Sequence, residues 1–268
     1  METNVLREIL RGGRSSVATR IESVWPTIVE VVGSTGYYDY VEFVAEYAPY
    51  SLADMENFCR AAELHHMGSM IKVDLQNRAY VAQKAIAAGF QAVLLADHKT
   101  PEEVRESVYV LKPDSPRYQG RMGYPNSRWI GYQPHRPQTD YAQMVQDTVI
   151  ALMIEKKEAM DNIEEICAIP GVDMVQFGPS DYSLSNGWNL EEHREECQEA
   201  ERKMIAVALK HGVQPRCEIN SPEEAAYYMN LGVNHFCLGD ELRNNTVYWT
   251  DKGKALRTVI GKNEAERG

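Results

Sequence analysis

The sequence has little of what membrane, nucleic-acid-binding or disulfide-stabilised proteins need. No run approaches the roughly 18 consecutive apolar residues of a membrane span, and the N-terminus lacks the apolar core of a signal peptide, so we expect a cytoplasmic protein. The 28 lysines and arginines are outnumbered by 39 aspartates and glutamates, and the net charge of −11 argues against nucleic acid as a partner. The five cysteines are widely spaced without a C-x-x-C pair, which disfavours a zinc knuckle or a disulfide framework. We expect them to be buried small side chains.

What the chain does contain is one repeated pattern: a short apolar run, a polar turn and an amphipathic helical segment. The predicted strands are residues 16–19, 40–45, 69–73, 92–96, 149–154, 174–177, 213–217 and 235–238. Strands that alternate with helices in this way are typical of a closed parallel (β/α)8 barrel. An open doubly wound sheet is disfavoured because no G-x-G-x-x-G follows the first strand. We therefore predict an α/β TIM barrel, one domain over residues 1–268.

Three helix starts and one long loop complete the pattern. Ser51 and Ser221 begin capping boxes or close variants of them, and Thr100 is followed by proline at the first helical position. Residues 112–139 form the longest irregular stretch, rich in Pro, Gly, Arg and Tyr. A loop of that length in a compact domain is usually functional or lies at an interface.

Ionisable side chains cluster where the predicted strands end. In (β/α)8 barrels the reactive groups follow the carboxyl ends of the strands. The ionisable residues at these positions are Arg20, Glu46, Tyr47, Lys72, Asp74, Asp97, His98, Lys99, Glu155 and Asp181. A barrel with only a structural role would not need so many charges there, so we predict the active site at this end.

Glu155 and Asp181 are the strongest candidates for metal ligands. They follow consecutive strands, which lie about 4.8 Å apart in a parallel sheet. A few carboxylate ligands with open positions suit Mg²⁺ or Mn²⁺, with Co²⁺ as a further possibility. The alternative is that Glu155 caps the next helix and Asp181 pairs with a surface arginine.

The turn before Asp181 is a candidate for substrate binding. Gly178, Pro179 and Ser180 form a tight turn after a strand, and its backbone N–H groups are able to receive a carboxylate. The alternative is an ordinary turn between a strand and a loop.

At these residues the chain resembles the HpcH/HpaI family of class II, metal-dependent pyruvate aldolases. The segments that carry the resemblance are residues 152–155, 162–166, 170–173 and 177–183, with a looser match from about 16 to 239. The resemblance implies that Glu155 and Asp181 bind the metal, which chelates pyruvate and stabilises its enolate. It also implies that the backbone at Ser180 holds the pyruvate carboxylate and that Glu46 orients a metal-bound water. A homohexamer whose subunits exchange C-terminal helices is implied as well.

Four positions depart from the family pattern. The family has D-x-E-H where this chain has residues 44–47 (Val-Ala-Glu-Tyr), so both members of its Asp–His proton-transfer dyad are missing. Lys72 replaces an arginine, Met153 replaces a glutamine, and residues 97–99 (Asp-His-Lys) replace an apolar segment that contains proline. These changes indicate that the enolate-stabilising half of the site is kept and the proton-transfer half is altered.

Four side chains therefore carry two interpretations each. His98 replaces the missing imidazole or is a surface histidine. Tyr47 donates to an alkoxide or packs in the core. Lys72 binds the keto oxygen or carboxylate, or forms a Schiff base. Arg20 binds a distal substrate carboxylate or pairs with Glu22.

The resulting functional hypothesis is a divalent-metal-dependent carbon–carbon lyase that acts on a small 2-oxo acid. Loss of the Asp–His pair favours, as a second hypothesis, decarboxylation or related enolate chemistry that needs no such base. A barrel that has lost catalysis and serves as a binding protein is the third. The expected partners are a small substrate and further copies of the chain, without nucleic acid or membrane.

Overall fold

Eight parallel strands form a closed barrel in the order β1 to β8. The structure is a computed structural model, and it describes residues 3–124, 128–132 and 136–261. The strands are β1 Ser16–Ile21, β2 Tyr40–Val44, β3 Gly68–Val73, β4 Ala92–Leu95, β5 Val149–Ile154, β6 Met174–Phe177, β7 Gln214–Ile219 and β8 His235–Asp240. The predicted (β/α)8 fold is confirmed, and no predicted strand end is more than two residues from the observed one.

Twelve α-helices are present in the described part of the chain. They are α1 Val5–Arg11, α2 Pro26–Ser34, α3 Leu52–Leu64, α4 Arg78–Ala88, α5 Pro101–Leu111, α6 Gln138–Gln146, α7 Lys157–Asp161, α8 Ile163–Cys167, α9 Pro179–Ser185, α10 Arg194–Lys210, α11 Ala225–Asn230 and α12 Glu241–Val259. The capping boxes predicted at Ser51 and Ser221 are present, the second on the short 3-10 helix Pro222–Glu224, and Thr100 also forms one, with the predicted proline at the start of its helix. No helix among the described residues is long and apolar enough to cross a membrane.

The alternation of side chains along the strands explains why charge collects at one end of the barrel. Successive residues of a strand point to opposite faces, so residues two apart share the barrel interior. The inward apolar residues Ala18, Tyr40, Met70 and Met153 belong to the inner core cluster. The next inward positions toward the carboxyl ends are Arg20, Glu42, Lys72 and Glu155. The interior therefore changes from apolar to charged toward its mouth.

The long loop contains local structure of its own. Pro113 and Met122 form an isolated parallel bridge, a 3-10 helix spans Arg128–Ile130, and α6 begins at Gln138. Residues 125–127 and 133–135 of the predicted loop lie outside the described part of the chain. The prediction that this loop is functional or interfacial stays a prediction.

All five cysteines are free and buried, as expected for small core side chains.

Helix α12 leaves large apolar side chains exposed, among them Leu242, Val247, Tyr248, Trp249, Leu256 and Val259.

Candidate active site

Glu155 lies directly after β5 and is only 2% exposed. Its carboxylate accepts a hydrogen bond of 2.9 Å from the backbone N–H of Asp97. Burial raises the pKa of Glu155, although the charge of Lys72 and the Asp97 N–H oppose that shift. Gly178 permits this arrangement, because a Cβ at that position would lie 2.9 Å from a Glu155 carboxylate oxygen.

Three carboxylates converge at this point. Glu46, Asp97 and Glu155 each offer an oxygen, and these oxygens lie within 4.8 Å of one another. Asp97 adopts a left-handed backbone conformation with φ 64°, which is uncommon for a residue other than glycine but tolerated by Asp. Three carboxylate oxygens in this arrangement match the ligands of a hard divalent cation.

Asp181 lies in the first turn of α9, near this group of three carboxylates but not a member of it. Lys156 connects the two, since its Nζ is 2.6 Å from an oxygen of Asp97 and 3.7 Å from one of Asp181. The charge of Asp181 also raises the pKa of Glu155, behind the effect of burial. The structure thus places the two predicted ligands at the same end of the barrel and adds Asp97, which the sequence analysis counted only among the ionisable residues at strand ends.

Lys72 forms an ion pair with Glu46, at 2.5 Å between Nζ and the carboxylate oxygen. Burial favours the neutral amine, but Glu155 and Glu46 outweigh it and raise the pKa of Lys72. A Schiff base forms from the neutral amine, so these surroundings disfavour that chemistry. They suit a fixed positive charge instead.

Tyr47 is 73% exposed at the mouth, so the alternative of core packing is wrong. Its ring centroid lies 5.9 Å from the Lys72 ammonium. Partial burial and the charge of Glu46 raise its pKa to about 12, and the hydroxyl therefore keeps its proton at neutral pH. Tyr47 is suited to donate a hydrogen bond or a proton, not to act as a base.

His98 requires a correction on both interpretations. The ring is fully buried, so it is not a surface histidine. Its Nε2 lies 2.8 Å from the Ser107 hydroxyl on α5, and burial together with Arg78 lowers its pKa to about 3. This side chain joins β4 to α5, and we do not propose it as the missing imidazole.

Arg20 also has other partners than those expected. Its guanidinium binds Asp240 at 3.1 Å on the adjacent strand β8 and Glu218 at 2.9 Å on β7, the strand beyond it, rather than Glu22. Two carboxylates against one guanidinium leave a local negative charge. Arg20 is therefore poorly suited to bind the distal carboxylate of a substrate.

The predicted turn forms the start of α9. Gly178 is the N-cap residue, Pro179 is at the first helical position, and Pro179 and Ser180 are exposed. Their role in substrate binding stays a prediction.

Sequence reasoning missed a charged layer beneath the mouth. Arg216 is fully buried, forms an ion pair with Glu42 at 2.5 Å and donates a hydrogen bond of 2.7 Å to the Tyr40 hydroxyl. Arg216 also binds Gln176. The sequence did contain a sign of this layer, because Glu42 and Arg216 are charged residues in the middle of strands β2 and β7, where an apolar residue is usual.

Comparison with known proteins identifies the family. The sequence model of the HpcH/HpaI aldolase/citrate lyase family matches residues 22–231, most of the chain. The chain belongs to the HpcH/HpaI aldolase/citrate lyase family. It is accordingly a lyase of the aldolase type, as the resemblance implied.

Several members of the HpcH/HpaI family are similar over most of their length. A 2-keto-3-deoxy-L-rhamnonate aldolase of Escherichia coli O6:K15:H31 is 23% identical over 88% of this chain and 87% of its own. A hydroxypyruvate/pyruvate aldolase of Sagittula stellata is 26% identical over 69% of this chain and 71% of its own. The crystal structure of an HpcH/HpaI aldolase from Desulfitobacterium hafniense matches with a TM-score of 0.86 and 23% identity, over 96% of this chain and 98% of the other.

Proposed function

We propose that this protein is a divalent-metal-dependent carbon–carbon lyase that cleaves or forms an aldol bond next to a small 2-oxo acid, by way of a pyruvate enolate. The observation that carries the proposal is the convergence of Glu46, Asp97 and Glu155 at the barrel mouth. The names of the two aldolase relatives, which refer to a 2-keto acid and to pyruvate, support the substrate class.

The residues present fit a divalent cation. Four carboxylates (Glu46, Asp97, Glu155 and Asp181) lie with two ammonium groups (Lys72 and Lys156), which leaves a formal charge of two negatives. Glu155 and Asp181 would hold the ion, and Glu46 and Asp97 lie close enough to Glu155 to bind it directly or through water. A bound cation supplies Lewis-acid stabilisation of the negative charge on the reacting oxo acid.

The protein's own side chains then bind and orient the substrate. Lys72 offers a fixed positive charge to the keto oxygen or the carboxylate, once it exchanges part of its contact with Glu46. Tyr47 offers a protonated hydroxyl at the open side of the mouth. Glu46 accepts hydrogen bonds from water at the site.

A second function is favoured by one observation. His98 is buried against Ser107, and the family's Asp–His pair is replaced by Val44 and Tyr47. Decarboxylation of a 2-oxo diacid requires stabilisation of the enolate but no base to remove a hydroxyl proton. It therefore fits a mouth that keeps the carboxylates and lacks this imidazole.

We also propose that the protein assembles from copies of itself, as the family resemblance implies. The apolar side chains that α12 exposes, including Trp249 and Leu256, support an exchange of C-terminal helices between subunits. A cytoplasmic location stays a prediction from the sequence.

Chelation tests the proposed function directly. Treatment with EDTA is expected to abolish turnover of pyruvate aldol adducts or oxaloacetate, and Mg²⁺ or Mn²⁺ is expected to restore it. Activity that persists in EDTA would exclude the metal. Absence of any turnover, together with no metal-linked thermal shift by the pyruvate analogue oxalate, would favour a barrel that has lost catalysis.

A further inference from the structure

A cavity lies on the outside of the barrel, away from the proposed active site at its mouth. It has a volume of about 420 Å³ and is bounded by α5, the segment 169–171 and Tyr118. Gln146 and Gly171, which line it, each come three residues before a strand, β5 and β6 respectively. The cavity is therefore near the starts of the strands, whereas the carboxylate cluster is at their ends.

The charge of this cavity is opposite to that of the chain. Arg105, Lys112 and Arg117 line it, and none of the described residues that line it is acidic, although the net charge of the protein is −11. Arg105 is bound by Glu102 and Glu165. Within the described residues, no carboxylate lies within ion-pair distance of Lys112 or Arg117.

Lys112 is the central feature of the cavity, because the residue is only 6% exposed and its ammonium group has few hydrogen-bond partners. Its ammonium donates one hydrogen bond, of 3.3 Å, to the backbone oxygen of Gln146. The nearby acids are already engaged: Asp173 accepts two bonds of 2.6 Å from Arg7, and Asp147 binds Arg11. Burial lowers the pKa of Lys112 to about 8. A buried ammonium normally has an anionic or fully hydrogen-bonding partner.

The walls of the cavity are shaped for close contact. Gly171 has φ 99°, and a Cβ there would lie 2.9 Å from Val108 and 3.4 Å from the Lys112 side chain. Glycine is thus required both by its backbone and by the close approach of the Val108 side chain. Ile169 and Pro170 supply apolar surface, and Tyr109 and Tyr118 supply rings.

We propose that this cavity is a binding site for a small organic anion, whose carboxylate or phosphate group binds the Lys112 ammonium and the Arg117 guanidinium. The body of the ligand packs against Ile169, Pro170 and the tyrosine rings. Such a ligand is separate from the 2-oxo acid at the mouth, since the two sites are at opposite ends of the strands.

Calorimetric titration of the full chain, treated with EDTA and then freed of the chelator by gel filtration, tests this site without any metal at the mouth. Benzoate and phenyl phosphate are the probes, one for each acid group, and benzyl alcohol is the neutral control. At least one anion is expected to bind and to raise the melting temperature, and the alcohol is not. Equal binding of benzyl alcohol, or no binding of either anion, would overturn the proposal.

Variants locate the binding. Lys112→Met keeps the stem and removes the charge, so anion affinity is expected to fall at least tenfold. Arg117→Met, on the exposed rim, is expected to weaken binding as well and does not disturb the core. Lys203→Met, on the exposed face of α10, is the matched control and is expected to leave affinity unchanged. Anion binding that survives both Lys112→Met and Arg117→Met would contradict the site.

Discussion

The backbone N–H of Asp97 donates a hydrogen bond of 2.9 Å to the carboxylate of Glu155 and so joins the end of β4 to the end of β5. The bond depends on the left-handed conformation of Asp97, at φ 64°. It fixes one oxygen of Glu155 by means of the backbone, and Gly178 leaves space beside the other. The orientation of the proposed metal ligand is therefore set by two turns rather than by a side-chain partner.

Gly178→Ala is expected to displace the Glu155 carboxylate. The added Cβ would lie 2.8 Å from the Glu155 Cβ and 2.9 Å from its carboxylate oxygen, closer than normal contact. Overpacking of this kind costs about 1–3 kcal/mol of stability, and disturbance of a ligand's support costs about 10- to 100-fold in metal affinity. Urea unfolding and Mn²⁺ titration measure the two effects.

Gly123→Ala is the control for this change. Among the described residues, and apart from its own chain neighbours, no atom lies within 4 Å of a Cβ built at Gly123, so both quantities should stay at their wild-type values. Wild-type Mn²⁺ affinity in Gly178→Ala would show that the close approach does not support the site.

Tyr47→Phe is expected to separate two activities. The Tyr47 hydroxyl keeps its proton, with a pKa of about 12, so its role is donation to an alkoxide, which only the aldol reaction contains. Aldol turnover should fall by about 10²-fold, in line with the loss of an acid–base group, while oxaloacetate decarboxylation stays nearly unchanged. Steady-state assays of both reactions on one preparation decide the matter. An equal loss of both activities would remove this role.

Glu218→Gln is expected to change the preference for the aldehyde. In the wild type, the two carboxylates of Glu218 and Asp240 exceed the single positive charge of Arg20. An aldehyde that carries a hydroxyl group should therefore have a higher kcat/KM than one that carries a carboxylate. Removal of the Glu218 charge should improve kcat/KM for the acidic aldehyde by about tenfold relative to the neutral one, or about 1.4 kcal/mol. Unchanged relative values would indicate that the distal end of the substrate does not reach Arg20.

The burial of His98 is expected to make the folded protein less stable at low pH. Burial, followed by the charge of Arg78, lowers its pKa from 6.5 to about 3, so the unfolded chain binds a proton that the folded chain excludes. The contribution of His98 to the free energy of unfolding is therefore complete above pH 6.5. It is lost as the pH falls toward 3, at a rate of up to about 1.4 kcal/mol per pH unit.

The variant His98→Gln is expected to weaken this dependence. The free energy of unfolding in urea should fall less between pH 7 and pH 5 in the variant than in the wild type. His66→Asn, at an exposed position with positive φ, serves as the control. Parallel pH curves for the wild type and His98→Gln would show that the buried ring does not titrate on unfolding.

The fold was predictable because its determinants are local. Short apolar runs and capping residues such as Ser51 and Thr100 specify where strands end and helices begin. The placement of Glu155 at a strand end followed from the same pattern.

His98 and Asp97 were not predictable, since alternation along β4 fails at one residue. Ala96 faces the barrel interior, and regular alternation would place His98 there too. The left-handed conformation of Asp97 breaks the alternation, so His98 turns to α5 and Asp97 joins the carboxylates. A change at a single backbone position thus exchanged the roles of two neighbouring side chains.

Arg20 illustrates a second limit. Its partners Glu218 and Asp240 are about 200 positions away in the sequence and become neighbours only when β1 meets β8 on closure of the barrel. A pairing of this kind depends on register, which the local sequence around Arg20 does not contain.

Titration of the protein with Mn²⁺, followed by electron paramagnetic resonance, tests most directly whether Glu155 is a metal ligand. Wild type is expected to bind one ion per chain, more tightly in the presence of oxalate. Glu155→Gln should weaken binding by at least the 10- to 100-fold that accompanies loss of a supporting residue, whereas the exposed Glu158→Gln should not change it. Equal Mn²⁺ affinity in wild type and Glu155→Gln would contradict a metal site at the end of β5.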